Sequence, residues 1–521
     1  MTLFRSVFVI AFFTSVSRIV GFIRDILIAR FIGVSYLSDV FFAAFRLPNF
    51  FRRIFAEGAF NSSFVPIFIK KMEDDGGNTK GKALEFARNI FSIMFFVLLI
   101  LIIVLEIFMP LVVRGMFPGF RPGTEEFILL VHLCRITIIY LLFISLFSLF
   151  AGMLNSVGKF AITSAGPIIL NIALIASLYL FTDLVKNVAY ALSWGIFVAG
   201  ILQFSWLLYF VIKTKMFVRP EMPKLDDDTR KFFRKLLPGI IGANAMQINL
   251  LVDTMIASLI SGAISCLYYA DRINQLPLAM IGIAISVALL PSLSNKIKDN
   301  KHNEAIKLQN IALEASLILV IPAMLALNFL SFEIISSLFQ RGQFDAHDTE
   351  KVSKALAFYS LGLPSYVLVK VLEPSFFSRG NTKTPMQIAL FCVALNVLLN
   401  LIFYKLHFGY IGIIMASVIS SYTNLTLMLT KLIKNDYFHF EKGFVKKLLQ
   451  IFGASGIMLA VLLLLRNYFA HSDHFRPVVE LIIIILSGLL VYLGVSYLTG
   501  NIKFLLKNLK PGKEWQNHSL E

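Results

Sequence analysis

Long apolar stretches alternate with short polar segments along almost the whole chain. A membrane-spanning helix needs about 20 consecutive, mainly apolar residues. Stretches of that length occur at 8–31, 40–69, 86–113, 127–151, 160–181, 188–212, 232–260, 264–290, 311–332, 355–377, 386–406, 410–432, 448–468 and 478–498. The pattern predicts an all-α polytopic membrane protein with about fourteen transmembrane helices.

Composition agrees with this class of protein. Hydrophobic residues make up 57% of the 521 residues, and 51 residues are Phe, which excludes an ordinary soluble domain. The three cysteines, Cys134, Cys266 and Cys392, lie in apolar stretches and share no metal-ligand spacing with histidine. The cysteines therefore indicate neither a disulfide framework nor a zinc site.

The net charge of +17 is unevenly distributed among the loops. Lys and Arg are concentrated in every second loop, at 70–88, 213–235, 296–307 and 431–447, and in the tail. By the positive-inside rule, this distribution predicts that both termini lie in the cytoplasm. A solvated basic face near anionic lipid headgroups explains the charge better than nucleic-acid binding does.

A charged loop at 213–235 separates the first six predicted helices from the next six. The second helix of each half carries a related pattern, FAAFRLPN followed by FVPIF, and YYADRINQLP followed by LLPSL. Many transporters are built from such repeats. We predict an N-lobe at 1–219, a C-lobe at 220–440, two further helices at 441–500 and a cytoplasmic tail at 501–521.

Four prolines fall inside predicted spans: Pro48, Pro238, Pro277 and Pro364. Each removes a backbone hydrogen bond and bends its helix, which is tolerated in a membrane only where neighbours satisfy the freed groups. Gating bends and static kinks are both consistent with these positions.

Five arginines lie in two segments of the first two apolar stretches, SVSRIVGFIRD and FRLPNFFRRIFAEG: Arg18, Arg24, Arg46, Arg52 and Arg53. A charge that faces lipid at mid-bilayer costs at least ~2.5–3.5 kcal/mol, so these side chains cannot all point outward. We expect them to line a central wet cavity between the two six-helix lobes. A cationic cavity favours an anionic substrate, and the planar guanidinium group can bind a diphosphate through two parallel hydrogen bonds.

Further polar residues accompany these arginines. Four residues of the second helix recur at intervals that place them on one helical face: Asp39, Arg46, Asn49 and Arg53. The second lobe adds other charged candidates: Asp271, Arg272 and Lys370.

The alternative interpretation is that these charges form internal ion pairs. The candidate pairs are Arg24 or Arg18 with Asp25, Arg53 with Glu57, and Arg272 with Asp271 or Asp39. Pairing leaves a surplus of roughly three positive charges, which a membrane interior disfavours without an anionic partner.

A weaker cluster combines Asp253 on the seventh predicted helix with Asn396 and Asn400, one turn apart on the eleventh. Such oxygen ligands suit a sodium ion, and the carboxylate suits a proton relay. The alternative is that these residues only hydrogen-bond helices together. Coupling to sodium or to the membrane potential is therefore a prediction, and no other cofactor is expected.

Catalytic signals are weak. Spacing suggests no arrangement of serine, histidine and acid, and the acidic run at 226–228 directly before a basic helix start is typical of an N-cap. We predict that the chain is not an enzyme. The alternative from a different class is a membrane glycosyltransferase that acts on a lipid-linked sugar, which would require a catalytic acid with a metal or nucleotide.

Five segments carry a family signature: SRIVGFIRD, SDVFFAAFRLPNFFRRIFAEGAFNSSFVPIF, YYADRINQLP, FQRGQFD and NTKTP. They resemble the MurJ (MviN) family of lipid II flippases, within the multidrug/oligosaccharidyl-lipid/polysaccharide exporter superfamily. The resemblance implies a flippase of the bacterial cytoplasmic membrane. Its substrate would be lipid II, an undecaprenyl diphosphate-linked peptidoglycan precursor, moved from the inner to the outer leaflet by alternating access.

The resemblance also implies roles for individual residues. The family's essential cavity arginines correspond to Arg18, Arg24, Arg52 and Arg272, with Asp39 as an associated acid. Further polar positions of the site are Ser17, Asn49, Glu57 and Lys370. The thirteenth and fourteenth helices would form a groove for the lipid tail. Some members bind sodium in the second lobe, but Asn400 stands where an acid would make a stronger cation site.

The expected partners are lipid II and the surrounding membrane lipids, with the cell-wall synthesis machinery as a further candidate. The alternative substrate is another polyprenyl-diphosphate-linked oligosaccharide.

Overall fold

A computed structural model describes residues 3–55, 59–74, 81–224, 226–243, 245–469 and 477–509. These residues form helices and contain no strand. The helices, numbered in chain order, are α1 Leu3–Ile32, α2 Tyr36–Phe55, α3 Ala59–Asp74, α4 Lys82–Ile107, α5 Met109–Met116, α6 Glu125–Ile138, α7 Tyr140–Ser156, α8 Phe160–Ser164, α9 Gly166–Leu180, α10 Val188–Lys213, α11 Asp227–Ala243, α12 Ala245–Ala257, α13 Ala263–Pro277, α14 Ala284–Lys298, α15 His302–Phe329, α16 Ser331–Phe339, α17 Ala346–Leu361, α18 Leu363–Phe377, α19 Lys383–Lys405, α20 Gly409–Lys434, α21 Phe444–Phe469, α22 Pro477–Leu498 and α23 Asn501–Leu509. A π-helical turn, Leu278–Ile283, joins α13 to α14.

The all-helical membrane architecture is confirmed. Within the described ranges, ten helical segments are long and apolar enough to cross a membrane, or eleven if the bent pair of α17 and α18 is one span. The predicted count of about fourteen is not confirmed. The remaining predicted spans correspond to α1, to α2 with α3, and to α11 with α12, which are not among these segments.

Backbone contacts divide the chain into two compact units. The first consists of Met1–Ser265 with Arg341–Asp345, and the second of Cys266–Gln340 with Ala346–Glu521. Helices α11 and α12 therefore pack within the first unit. The division into lobes at residue 219, two further helices and a tail stays a prediction.

Phenylalanine rings join α3, α4 and α11 in the first unit. Phe64 stacks on Phe60 and Phe86 with ring centroids 5.5 and 5.6 Å apart, and Phe232 packs edge-on against Phe60 at 5.7 Å. Aromatic pairs in these geometries add stability beyond the area they bury. This core holds the start of α11 against α3 and the start of α4.

The acidic run at the start of α11 is structural. Asp226 Oδ1 accepts a hydrogen bond from the Thr229 N–H at 2.8 Å, so the predicted N-cap is confirmed. Lys71 Nζ lies 2.6 Å from Asp228 Oδ2, and its hydrogen bond lowers the pKa of the Asp228 carboxyl group. These carboxylates are therefore used to hold a helix terminus.

Three of the four prolines lie where a hydrogen bond from another helix, or a break in the helix itself, accommodates the missing proline N–H. Pro48 cannot donate to the Ala44 carbonyl, and the Thr137 hydroxyl on α6 donates to that carbonyl at 3.1 Å. Pro277 ends α13 directly before the π-helical turn, and Pro364 lies in the first turn of α18 next to a 42° bend after α17. The carbonyl group that Pro48 leaves without a helical donor is thus satisfied by a buried hydrogen bond.

In the second unit, α21 and α22 pack against each other and present many exposed apolar side chains. Lys447 Nζ lies 2.5 Å from Glu314 Oε2, and Arg466 Nε lies 2.6 Å from Glu333 Oε1. These ion pairs attach the two ends of α21 to α15 and α16.

Candidate substrate-binding site

Arg24 lies on α1 and is almost fully buried, with 6% of its surface exposed. Its Nη2 lies 2.6 Å from Asp25 Oδ1, and its Nε donates to the same oxygen at 3.0 Å. Its Nη1 donates to Asn171 Oδ1 on α9 at 2.8 Å. The predicted Arg24–Asp25 pair is confirmed, and the guanidinium group is fixed between α1 and α9.

Ser17 takes part in the same network through its backbone. Asn171 Nδ2 donates to the Ser17 carbonyl oxygen at 3.1 Å, so one amide side chain connects two turns of α1. Because Asn171 both accepts from Arg24 and donates to Ser17, it sets the position of this part of α1 against α9.

Arg18 differs from Arg24 in both exposure and pairing. Its side chain is exposed, and it makes no hydrogen bond or ion pair with any residue in the described part of the chain. Six residues along an α-helix correspond to a rotation that places Arg18 about 120° around α1 from Arg24. The place of Arg18 in the substrate site stays a prediction.

Three predicted site residues follow one another along α2 and are half-buried. Arg46 Nη2 donates to the Leu250 carbonyl oxygen on α12 at 3.3 Å. Asn49 Nδ2 donates to the Phe45 carbonyl at 2.9 Å, and its Oδ1 accepts from Arg52 Nε at 3.3 Å. Asn49 thus orients the Arg52 guanidinium group.

Glu57 and the side chain of Arg53 lie outside the described residues. The Arg53–Glu57 pair and the place of Glu57 in the site stay predictions.

Asp39 lies at the start of α2 and is 4% exposed. Its Oδ2 accepts from the Gly262 N–H at 2.6 Å, and its Oδ1 accepts from the N–H and hydroxyl of Ser265 at 2.8 and 2.6 Å. The carboxylate thus caps the N-terminus of α13, where the helix dipole favours a negative charge. We call this set of three hydrogen bonds the Asp39 clasp.

The second unit supplies two of the predicted cationic residues. Arg272 on α13 is half-buried, and its neighbour Asp271 accepts from Gln275 Nε2 at 2.5 Å. Lys370 on α18 is also half-buried, and its Nζ lies 2.9 Å from Glu373 Oε1. Lys370 is therefore partly neutralised within its own helix.

Helices α1 and α2 carry an excess of positive charge. The two helices contain seven arginines and two aspartates. Asp25 pairs with Arg24, and Asp39 is held by the clasp. These contacts leave a positive surplus that an anion of several charges would offset.

Comparison with known proteins decides the family. A protein-family model described as lipid II flippase MurJ matches residues 28–499. This chain belongs to the MurJ family. A probable lipid II flippase MurJ of Rickettsia prowazekii (strain Madrid E) is 36% identical over 502 residues, which cover 96% of this chain and 98% of that protein.

Solved structures agree with the family. A structure of lipid II flippase MurJ in an inward closed conformation has a TM-score of 0.79 and 30% identity, and the match covers 94% of this chain and 98% of that one. An inward-facing MATE family transporter of the MOP superfamily has a TM-score of 0.62 at 14% identity, with 84% and 98% of the two chains covered. The similarity to the MATE family transporter shows a common fold only.

The sequence did not lead us to three residues that contact predicted site residues: Asn171, Glu373 and Ser265. Asn171 is the strongest polar group in an otherwise apolar stretch, and Glu373 follows Lys370 at the i,i+3 spacing of helical ion pairs. Both signals were available in the sequence. Ser265 had no such signal, because its role depends on a carboxylate that is distant along the chain.

The predicted cation ligands belong to different units. Asp253 in the first unit accepts from Asn249 Nδ2 at 3.3 Å. In the second unit, Asn400 Nδ2 donates to Asn396 Oδ1 at 2.8 Å, and Asn396 Nδ2 donates to Ser417 Oγ at 3.1 Å. The asparagines thus join α19 to α20, as the alternative interpretation predicts, and sodium binding stays a prediction.

If Asp253, Asn396 and Asn400 bind sodium, the unfolding temperature of the purified protein should rise with sodium chloride. Ligand that binds only the folded state stabilises it, by about 2.7 kcal/mol at 100 times the dissociation constant. Choline chloride at the same ionic strength and the Asp253→Asn variant are the controls. An equal rise in either control would contradict a sodium site.

Proposed function

We propose that this chain is a flippase that carries lipid II from the inner to the outer leaflet by alternating access. Its membership of the MurJ family supports this proposal. The observation that carries it is the charge of α1 and α2, where five arginines away from the ends of α1 accompany two aspartates that are both engaged within the protein. A membrane interior disfavours such a surplus unless an anion offsets it.

The substrate chemistry explains the residue type. A diphosphate has several oxygens for which arginine supplies planar, permanently charged donors. In the proposed mechanism Arg18, Arg52 and Arg272 bind the diphosphate, and Asn49 orients Arg52. Arg24 is a positioning residue that holds α1 against α9.

The proposed mechanism consists of a conformational change and needs no covalent reaction. A cytoplasm-open state admits the headgroup, and a second state releases it outside while the lipid tail remains in the bilayer. The basic loops support an orientation with both termini in the cytoplasm, and the exposed apolar surface of α21 and α22 suits the tail. Coupling to sodium or to the membrane potential, and contact with the cell-wall synthesis machinery, are further parts of the proposal.

Cells depleted of this protein and complemented with variants test the proposal through a leaflet-specific assay of lipid II. Arg18→Ala, Arg52→Ala and Arg272→Ala should each reduce outward movement at least tenfold, the effect of losing about 1.4 kcal/mol of substrate interaction. Lysine at the same positions should restore only part of the outward movement, because lysine keeps the positive charge but lacks the paired N–H donors of the guanidinium group.

Arg121→Ala is the matched control, since Arg121 is an exposed arginine in the loop before α6. It should transport normally. Full transport by all three site variants would overturn the site assignment. A fall in the total amount of lipid II, with its leaflet distribution unchanged, would favour the glycosyltransferase alternative.

A further inference from the structure

The first unit contains an apolar pocket that the proposed transport mechanism does not use. Its volume is about 270 Å³, and it lies between α4, α7, α10 and the linker at 214–224 that follows α10. Every lining residue is apolar, and six of them are phenylalanines: Phe91, Phe95, Phe143, Phe150, Phe204 and Phe217. We call this cavity the Phe pocket.

The linker that forms one wall of the Phe pocket is fixed to α4. Asn89 Oδ1 accepts from the Lys224 N–H at 2.7 Å, and Asn89 Nδ2 donates to the Lys224 carbonyl at 2.5 Å. Ser92 Oγ accepts from the Glu221 N–H at 2.9 Å, and Arg88 Nη1 lies 3.0 Å from Glu221 Oε1. The pocket wall is therefore preformed, and Glu221 is engaged by an arginine.

Three basic residues at the end of α10 and on the linker lie within four residues, along the chain, of residues that line the Phe pocket. The side chains of Lys213, Lys215 and Arg219 are all exposed. The Arg219 guanidinium carbon lies 5.8 Å from the ring of Phe217, which itself lines the pocket. An apolar cavity with a cationic rim matches a molecule that has a hydrocarbon chain and an anionic headgroup.

We propose that the Phe pocket binds one anionic glycerophospholipid, with an acyl chain among the phenylalanines and the phosphate against Lys213, Lys215 and Arg219. Helices α4 and α10 are both membrane spans, so lipid chains surround this part of the protein. An acyl chain is the apolar group that a bilayer supplies at this position.

Distances along α10 agree with this occupant. Phe204 and Leu208 line the pocket nine and five residues before the end of α10 at Lys213. These separations correspond to about 14 and 8 Å along the helix axis. A headgroup at Lys213 would therefore place the upper part of its acyl chain within the pocket.

Headgroup charge should determine selectivity. Transfer of a chain from bilayer to pocket gains little from the hydrophobic effect, because both environments are apolar. Each basic residue near the membrane surface strengthens binding of an anionic lipid about fivefold. The site should therefore prefer phosphatidylglycerol over phosphatidylethanolamine with the same chains.

Native mass spectrometry of the full-length protein, released from bilayers that contain equal amounts of dioleoyl phosphatidylglycerol and dioleoyl phosphatidylethanolamine, tests the pocket. The wild-type protein should retain one phosphatidylglycerol in preference. Leu208→Trp fills the pocket and should reduce this retention at least fivefold. Leu202→Trp is the matched control, because Leu202 lies on α10 with 48% of its surface exposed and does not line the pocket.

A charge variant tests the rim without altering the pocket. Lys215→Gln with Arg219→Gln should reduce phosphatidylglycerol retention by about tenfold or more. Lys298→Gln with Lys301→Gln, which removes two exposed charges from the turn between α14 and α15, should leave retention unchanged. Equal retention of both lipids by the wild type, or equal losses in the test and control variants, would overturn the proposal. Both tests measure the retention of phospholipid, and neither depends on lipid II transport.

Discussion

Replacing Arg24 with alanine should lower the free energy of unfolding by roughly 3–5 kcal/mol and abolish transport of lipid II. The change leaves the Asp25 carboxylate at 0% exposure without the ion pair that offsets its desolvation. It also removes the donor to Asn171, which connects α1 to α9. Thermal unfolding of the purified protein and the leaflet-specific assay measure the two effects.

A double variant separates stability from transport. Arg24→Ala combined with Asp25→Ala removes both buried charges, so much of the lost stability should return. If Arg24 only positions α1, transport should return together with stability. If its guanidinium group also binds the diphosphate, transport should remain absent in a stable protein. A single Arg24→Ala variant with normal stability would contradict the structural role altogether.

The sequence was sufficient to predict the class of fold and the charge of the site. Long apolar stretches predict membrane helices because the bilayer imposes their length. The count of about fourteen is not confirmed at α1 and at α2 with α3, which carry the arginines of the predicted site. The polar spacing on α2 was predicted correctly as helical, because the 3.6-residue period applies to any helix.

Contacts between distant segments were not predictable in the same way. The Arg24–Asp25 pair joins adjacent residues and was among the expected pairs, whereas Asn171 lies 147 residues away. Asp39 was expected beside arginines, yet its carboxylate accepts hydrogen bonds from backbone N–H groups. Every residue except proline carries such a donor, so sequence gives no indication of which one is used.

The Asp39 clasp leads to a prediction about movement. The clasp joins the start of α2, in the predicted N-lobe, to residues 262–265, in the predicted C-lobe. In the proposed orientation this end of α2 faces the outside. Alternating access requires contacts on that side to open when the headgroup is released. A reversible crosslink next to the clasp should therefore stop transport.

Val34→Cys with Ser261→Cys provides this crosslink, since a side chain at the adjacent Gly262 would lie 3.3 Å from Val34. The background should lack Cys134, Cys266 and Cys392, which form no disulfide among the described residues. A short bis-methanethiosulfonate reagent should block outward movement of lipid II almost completely, and a reducing agent should restore it. The leaflet-specific assay measures both states.

His347→Cys with Lys354→Cys is the matched control, because both residues are exposed and lie on α17 alone. A crosslink within one helix does not restrict movement between helices, so transport should continue after the reagent is added. Binding of lipid II from the cytoplasmic side should persist in the protein crosslinked at the clasp, because the arginines remain accessible from that side in the proposed mechanism. Unimpaired transport by fully crosslinked protein would rule out opening at the clasp and favour movement of the lipid along a static groove.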